Sequence, residues 1–234
     1  DEDPCNAVTM QGQVSTLRVF LDHLGDIRAV PEDLPDRVKL PKIRDGEGVD
    51  ESLLEAERAN AIIDYLHKWE YATAPHVAVL LFWRTSCRLG GLRALDVDDF
   101  DPDEGALSFR HRPSTGTPLK NGKNGERDVS LKPHVVNVVE TYLESPHCHD
   151  VTDDHDRTPL ITTEYGRPGT STYRNWMYKW TQPCQIGEKC PEGRDPDECN
   201  ATYHIHLSEC PFNVSPHPIR AGSITAHRDA GTPR

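Results

Sequence analysis

The sequence predicts a mostly α-helical chain with a small antiparallel β-sheet set among the helices, an α+β arrangement. Three observations carry that expectation. Apolar residues recur at helical spacing on both sides of the middle of the chain; residues 100–131 switch to short alternating segments; and the pairs Asn121-Gly122 and Asn124-Gly125 mark a reversal between two of those segments.

Val14, Leu17, Phe20, Leu21 and Leu24 fall on one helical face that ends at Gly25, a residue that commonly terminates helices. From Ile27 to Val49 the chain holds Pro31, Pro35 and Pro41 among charges, without an apolar period, and reads as a linker. Asp50 is placed to cap a helix whose shared face carries Leu53, Leu54, Ala61, Ile62, Tyr65, Leu66 and Trp69. Thr73 and Pro75 open a second, strongly apolar helix from His76 to about Cys87. Short strands follow at Ala106–Arg110 and Arg127–Leu131, then a helix at Val135–Leu143 behind Pro133, a strand at Pro159–Thr162 and an aromatic-rich helix at Thr172–Trp180. Trp69 and Trp83 are expected in the core. This order divides the chain into a helical remnant at residues 1–26, a linker at 27–48 and a second domain at 49–234, with a cysteine-rich insert at 182–212.

Composition limits the function. Twenty-six basic against 38 acidic residues leave a net charge of −12, which taken alone argues against a nucleic-acid partner. The bias is unusual in kind, with 22 Asp to 16 Glu and 18 Arg to 8 Lys, the pattern of proteins from salt-loving archaea. In molar salt the screening length falls to ~3 Å, so global charge does not decide what a local groove binds. A mean hydropathy of −0.66, without a membrane-length apolar run, predicts a soluble, non-membrane protein. Seven cysteines without a secretory leader point to a reduced cytoplasm. Asp1 in place of Met reads as a fragment boundary.

Two constellations carry chemistry. In Arg84-Thr-Ser-Cys-Arg88-Leu-Gly-Gly-Leu-Arg-Ala-Leu95 an apolar helix runs into a bend that places Arg88 at a buried junction. A guanidinium there needs an anion, or else one of Asp96, Asp98 and Asp99 as partner. In Ser215-Pro-His217-Pro-Ile-Arg220, His217 and Arg220 stand three apart at a helix start, where free N–H groups and the positive dipole end suit a phosphate.

Together, in this order, they resemble the tyrosine recombinases (phage integrases, Xer-like), in which Arg, Lys, His-x-x-Arg, a later His or Trp, and Tyr follow one another. The match runs from about Asp50 to Thr225 and is nearest in character to haloarchaeal integrases. It departs at Gly91, where many relatives carry Glu, and at Ser86-Cys87, where Gly is common. The resemblance implies a recombinase catalytic-domain fold, incomplete at its C-terminus, with the first helix as the end of a core-binding (SAM-like) domain. It implies site-specific recombination or integration of double-stranded DNA, cleaved and rejoined through a 3′-phosphotyrosine, and tetramers on paired sites.

Arg88 and Arg220 would grip the non-bridging oxygens, His217 would hydrogen-bond the same phosphate and shift a proton, and a hairpin lysine would protonate the leaving 5′ oxygen. Lys120 is favoured over Lys123 because it ends the strand-like Thr117-Pro-Leu119 run. All seven tyrosines precede His217, the chain stops fourteen residues after Arg220, and His227 lies too near Arg220 to be the later His. The chain is therefore expected to lack the nucleophile and to bind DNA without cleaving it.

No cofactor is implied for catalysis. Cys184, Cys190, Cys199 and Cys210, with His204 and His206 nearby, offer a structural zinc site or a loop of unliganded thiols; their spacing lacks the paired C-x2-C of common zinc modules. His147, His149 and His155 among Asp150, Asp153, Asp154 and Asp156 read as a solvated acidic loop. The alternatives are a non-catalytic, zinc-stabilised DNA-binding protein or decayed integrase, and an unrelated acidic phosphodiesterase. The last would need a carboxylate metal cluster that the sequence does not supply.

Overall fold

The computed structural model describes residues 6–44 and 52–231. The chain forms two compact units, Asp1–Glu51 and Ser52–Arg234. In the first, helix α1 spans Ala7–Asp26, and the Asn6 side chain accepts the Val8 N–H at 2.9 Å as its cap. Gly25 does not end this helix. It lies buried inside the last turn, 3.6 Å from the Glu32 Cα by the reach of an added Cβ, so its missing side chain admits the returning chain. The left-handed residue is Arg28, at φ 58°. The stretch read as an open linker contains a helical turn, α2 (Leu34–Arg37), held to α1 by Arg18, whose Nε donates to the Pro35 carbonyl at 3.1 Å and whose Nη2 meets Asp36 at 3.2 Å. Leu17 and Phe20, read as part of one apolar helical face, are exposed on α1. Asp50, the expected cap, lies outside the described residues.

The second unit begins with α3 (Ala56–Trp69), capped at Glu55. Leu54 is buried ahead of it, whereas Trp69 is 63% exposed with Lys68 over its ring at 4.7 Å, so this tryptophan is not core. Its position at the last residue of α3 puts it past the end of the packed face. Helix α4 (Ala74–Thr85) starts where Thr73 accepts the His76 N–H at 3.4 Å, and ten of its twelve residues are buried. Such all-round burial requires neighbours on every side. They are α3, then α6 (Pro133–Leu143), α7 (Thr170–Trp180) and α8 (Pro216–Asp229), with short α5 (Leu89–Ala94) at the end of α4.

The sheet has three antiparallel strands in sequence order: β1 (Phe100–Asp101), β2 (Ala106–Phe109) and β3 (Arg127–Ser130). Leu107 faces Val129 and Phe109 faces Arg127 across β2–β3. The link between these strands is a folded loop, not a tight Asn-Gly turn. It contains helical turns at Pro113–Thr115 and Gly122–Gly125, an Arg112–Thr117 bridge, and His111, whose Nδ1 accepts the Leu119 N–H at 2.9 Å. Pro159–Thr162 is not a strand. Pro159 makes one isolated bridge to Asp96, while Leu160 and Ile161 are buried by the helices.

Below the loop lies a buried ionic hub. The Asp96 carboxylate meets Arg112 at 3.4 Å, Arg157 at 2.7 Å and Arg167 at 2.6 Å. Arg112 also pairs with Asp99 at 2.5 Å and Arg167 with Asp153 at 2.9 Å. Asp153 is thus a structural anchor and not part of a solvated acidic loop. Arg157 Nη1 also donates to the hydroxyls of Thr115 (2.5 Å) and Thr117 (2.9 Å), tying the β2–β3 loop to the hub.

Candidate functional site

Helix α4 ends sharply because Ser86 takes the left-handed conformation, φ 49° and ψ 27°, the role glycine usually fills at a helix terminus. Its carbonyl, turned away from the helix, accepts Arg220 Nε at 2.8 Å. Its hydroxyl lies 2.5 Å from that of Ser223, and Ser223 donates to the Trp83 carbonyl at 2.5 Å, so the shared proton comes from Ser86. These bonds lock the end of α4 to α8. The fit is close: a Cβ at Gly222 would overlap the Leu54 carbonyl, and the Leu54 N–H donates to the Pro218 carbonyl at 3.1 Å. Two residues after Ser86, Arg88 caps α5. At Gly91 an added Cβ would sit 3.5 Å from the Phe109 ring, so a small residue suits this packed position.

Arg88 and Arg220 line one open cleft of about 590 Å³ with Lys120 and Arg127. Among the described residues no Asp or Glu lines it. Arg88 takes none of the carboxylates open to it in sequence; Asp96 and Asp99 are held by Arg112, Arg157 and Arg167. Burial first, then the like charge of Arg88, holds Arg220 below the usual arginine range. Beneath them the buried Cys87 thiol is pushed up to about 11 by desolvation and stays neutral, supplying no counter-charge. The cleft therefore offers an anion several guanidinium and ammonium donors whose mutual repulsion the anion would relieve.

Lys120 lines the cleft and Lys123 does not. His217 occupies the first turn of α8 with an exposed side chain and is not among the lining residues. Arg127, missed in the sequence, starts β3 and stacks its guanidinium over the Phe109 ring at 4.2 Å. The two-residue alternation of the strand held the signal, since it puts Arg127 on the same side as Val129, where a cation is out of place in a core-facing row. No tyrosine lines the cleft among the described residues.

The remaining sequence-singled residues gather elsewhere. Cys184, Cys190, Cys199 and Cys210 line one small pocket in the segment between α7 and α8. Burial raises the Cys184 thiol, and Cys210, Cys190 and Cys199 each add to the shift, as thiols in mutual range do. None of the six described cysteines is in a disulfide. His206 instead faces Glu209 at 2.6 Å, and His204 lies 3.5 Å from Asn175.

Helices enclosing α4 beside a three-stranded antiparallel sheet form a fold found in solved recombinase and integrase structures. Solved structures with this fold include XerA recombinase (TM-score 0.53, 19% identity, over 93% of this chain and 60% of that one). The Tn1549 transposon integrase in complex with circular intermediate DNA superposes with a TM-score of 0.64 at 14% identity, over 97% of this chain and 68% of the other. A lambda integrase tetramer bound to a Holliday junction gives 0.57 at 14% identity, over 95% and 55%. The chain thus spans 60% of the XerA chain and about half of the lambda integrase chain. No family model and no curated protein matches the sequence. Among the described residues no helix is long and apolar enough to cross a membrane.

Proposed function

We propose that this chain binds double-stranded DNA through the Arg88–Arg220 cleft, as the catalytic-domain portion of a site-specific recombinase or integrase. The observation that carries this reading is the cleft itself: Arg88, Lys120, Arg127 and Arg220 converge without a lining carboxylate in a chain of net charge −12. Acids exceed bases by twelve, so a carboxylate-free cationic cleft reflects a ligand that the rest of the surface repels. The fold shared with DNA-bound integrases supports a phosphodiester as that ligand.

In this reading Arg88 and the Nη groups of Arg220 stabilise the charge that grows on the non-bridging oxygens as a phosphodiester is attacked. Lys120 delivers a proton to the leaving 5′ oxygen, and Arg127 holds a neighbouring phosphate. His217, exposed on the same helix three residues before Arg220 and outside the lining of the cleft, would hydrogen-bond the phosphate from its rim and relay the proton of the attacking hydroxyl. The chemistry uses no metal. The attacking group would be a tyrosine, forming a 3′-phosphotyrosine link, and assembly would be a tetramer on paired sites. Of the seven tyrosines in the sequence none lines the cleft among the described residues, and the role proposed for these side chains is to hold DNA. In the same reading the helix of the first unit would belong to a core-binding domain, and the protein would work in the cytoplasm of a salt-adapted cell.

Fluorescence anisotropy with labelled duplex tests binding, and suicide-substrate trapping tests cleavage. Binding that weakens with salt and drops at least tenfold in Arg88→Ala supports the proposal. Equal binding by wild type and the Arg88→Ala/Arg220→Ala double variant overturns it. A covalent adduct formed by this chain would assign the nucleophile to one of its own seven tyrosines.

A further inference from the structure

We propose that Cys184, Cys190, Cys199 and Cys210 bind one zinc ion as a tetrathiolate, which clamps the α7–α8 connection. Four thiols separated by up to 26 residues line one pocket of about 20 Å³, room for one water-sized occupant. The connection has little else to fold around. Its ordered elements are helical turns at Pro183–Ile186, Asn200–Thr202 and Leu207–Glu209, and few of its residues are buried apolar groups. Its ends are already fixed: Arg58 on α3 donates to the carbonyls of Thr181 (2.5 Å) and Phe212 (2.6 Å), and the Val214 N–H donates to Thr181 Oγ1 at 2.8 Å. The middle is held by Gln182, which donates to Ala201 and Leu207 carbonyls at 2.8 and 3.1 Å. A metal would unite the ends and the middle into one small core.

The thiols stand around the pocket and not yet on a common point. Among the described residues no three His, Cys, Asp or Glu are grouped as a metal would hold them. Binding converts four thiols and one Zn²⁺ to a zinc tetrathiolate of charge −2 and releases four protons, with no change of oxidation state. Arg194 and Glu192, paired with each other, line the same pocket.

Elemental analysis of the full chain, purified without chelator from zinc-supplemented cells, is expected to give one zinc per chain. Cobalt substitution should show the intense thiolate charge-transfer band and the visible bands of a tetrahedral site, both lost in Cys184→Ser and in Cys210→Ser. Should those variants fail to fold, stripping wild type with chelator and titrating zinc back still reads the stoichiometry. Zinc at background level in wild type, or a mass lower by the hydrogens of one or two disulfides, overturns the proposal. Zinc content should be unchanged in Arg88→Ala, so failure of the DNA-binding reading and failure of the zinc site appear in different variants.

Discussion

Asp96→Asn removes the charge at the centre of the ionic hub while keeping the shape of the side chain. Asp96 is 8% exposed and serves three guanidinium groups, of which Arg167 is 5% and Arg157 13% exposed. After the change Arg112 keeps Asp99, and Arg167 keeps Asp153 with the Arg93 and Leu95 carbonyls at 3.0 and 3.1 Å. Arg157 keeps only neutral partners, Thr115, Thr117 and the Ala94 carbonyl. One buried cation is thus stranded and a second is weakened, which sets the loss at about 3 kcal/mol, the low end for breaking a buried ion pair. In a unit of this size that lowers the melting temperature by about 6–12 °C. Urea denaturation followed by tryptophan fluorescence measures it, with exposed Asp98→Asn as the control. A loss below about 1 kcal/mol would falsify the claim that the hub organises the β2–β3 loop.

Three further outcomes follow from other contacts. His76 is buried, its Nδ1 accepts the Ala72 N–H at 3.1 Å, and desolvation, then His67, lowers its pKa to about 4. Since the unfolded imidazole takes its proton near 6.5 and the folded one only near 4, its neutral form contributes about 3 kcal/mol above pH 6.5, lost as pH falls toward 4; His76→Gln should flatten that limb of the urea midpoint against pH. Gly222→Ala forces α8 away from Leu54, so it should cost about 1–3 kcal/mol and also weaken DNA binding through Arg220; full stability with full affinity would refute the close approach. Lys120→Ala should lower the salt slope of DNA binding by about 1, and Lys123→Ala should leave it nearer wild type; the reverse order would make Lys123 the hairpin's phosphate contact.

The helices around α4 were legible because their apolar periods are long and their starts carry Thr73, Pro75, Pro133 and Ser215. Arg88, Arg220 and Lys120 were legible as candidates through the resemblance, and the bonds that bring Arg220 beside Arg88 were not, because they depend on Ser86 turning left-handed and on Ser223 reaching the Trp83 carbonyl. Short-range signals misled where long-range packing prevailed. Gly25 accommodates a neighbouring chain instead of ending a helix, Pro159–Thr162 is extended only against Asp96, and Trp69 lies past the buried face of α3. Nothing local to Arg157 or Arg167 shows that they complete the hub. Their partner Asp96 is 61 and 71 residues away, a distance over which no periodicity carries information.

The bond from Arg220 Nε to the Ser86 carbonyl has a stereochemical consequence. With Nε occupied, the guanidinium can offer a ligand only its outer edge, in a plane fixed by the end of α4. The two non-bridging oxygens of a DNA phosphate are prochiral, and a donor edge held in one plane meets them unequally. Sulfur placed at the Rp or the Sp position should then weaken binding to different extents in wild type, and by similar extents in Arg220→Ala. A backbone carbonyl at a helix end would in that way make the cleft a reader of handedness as well as charge.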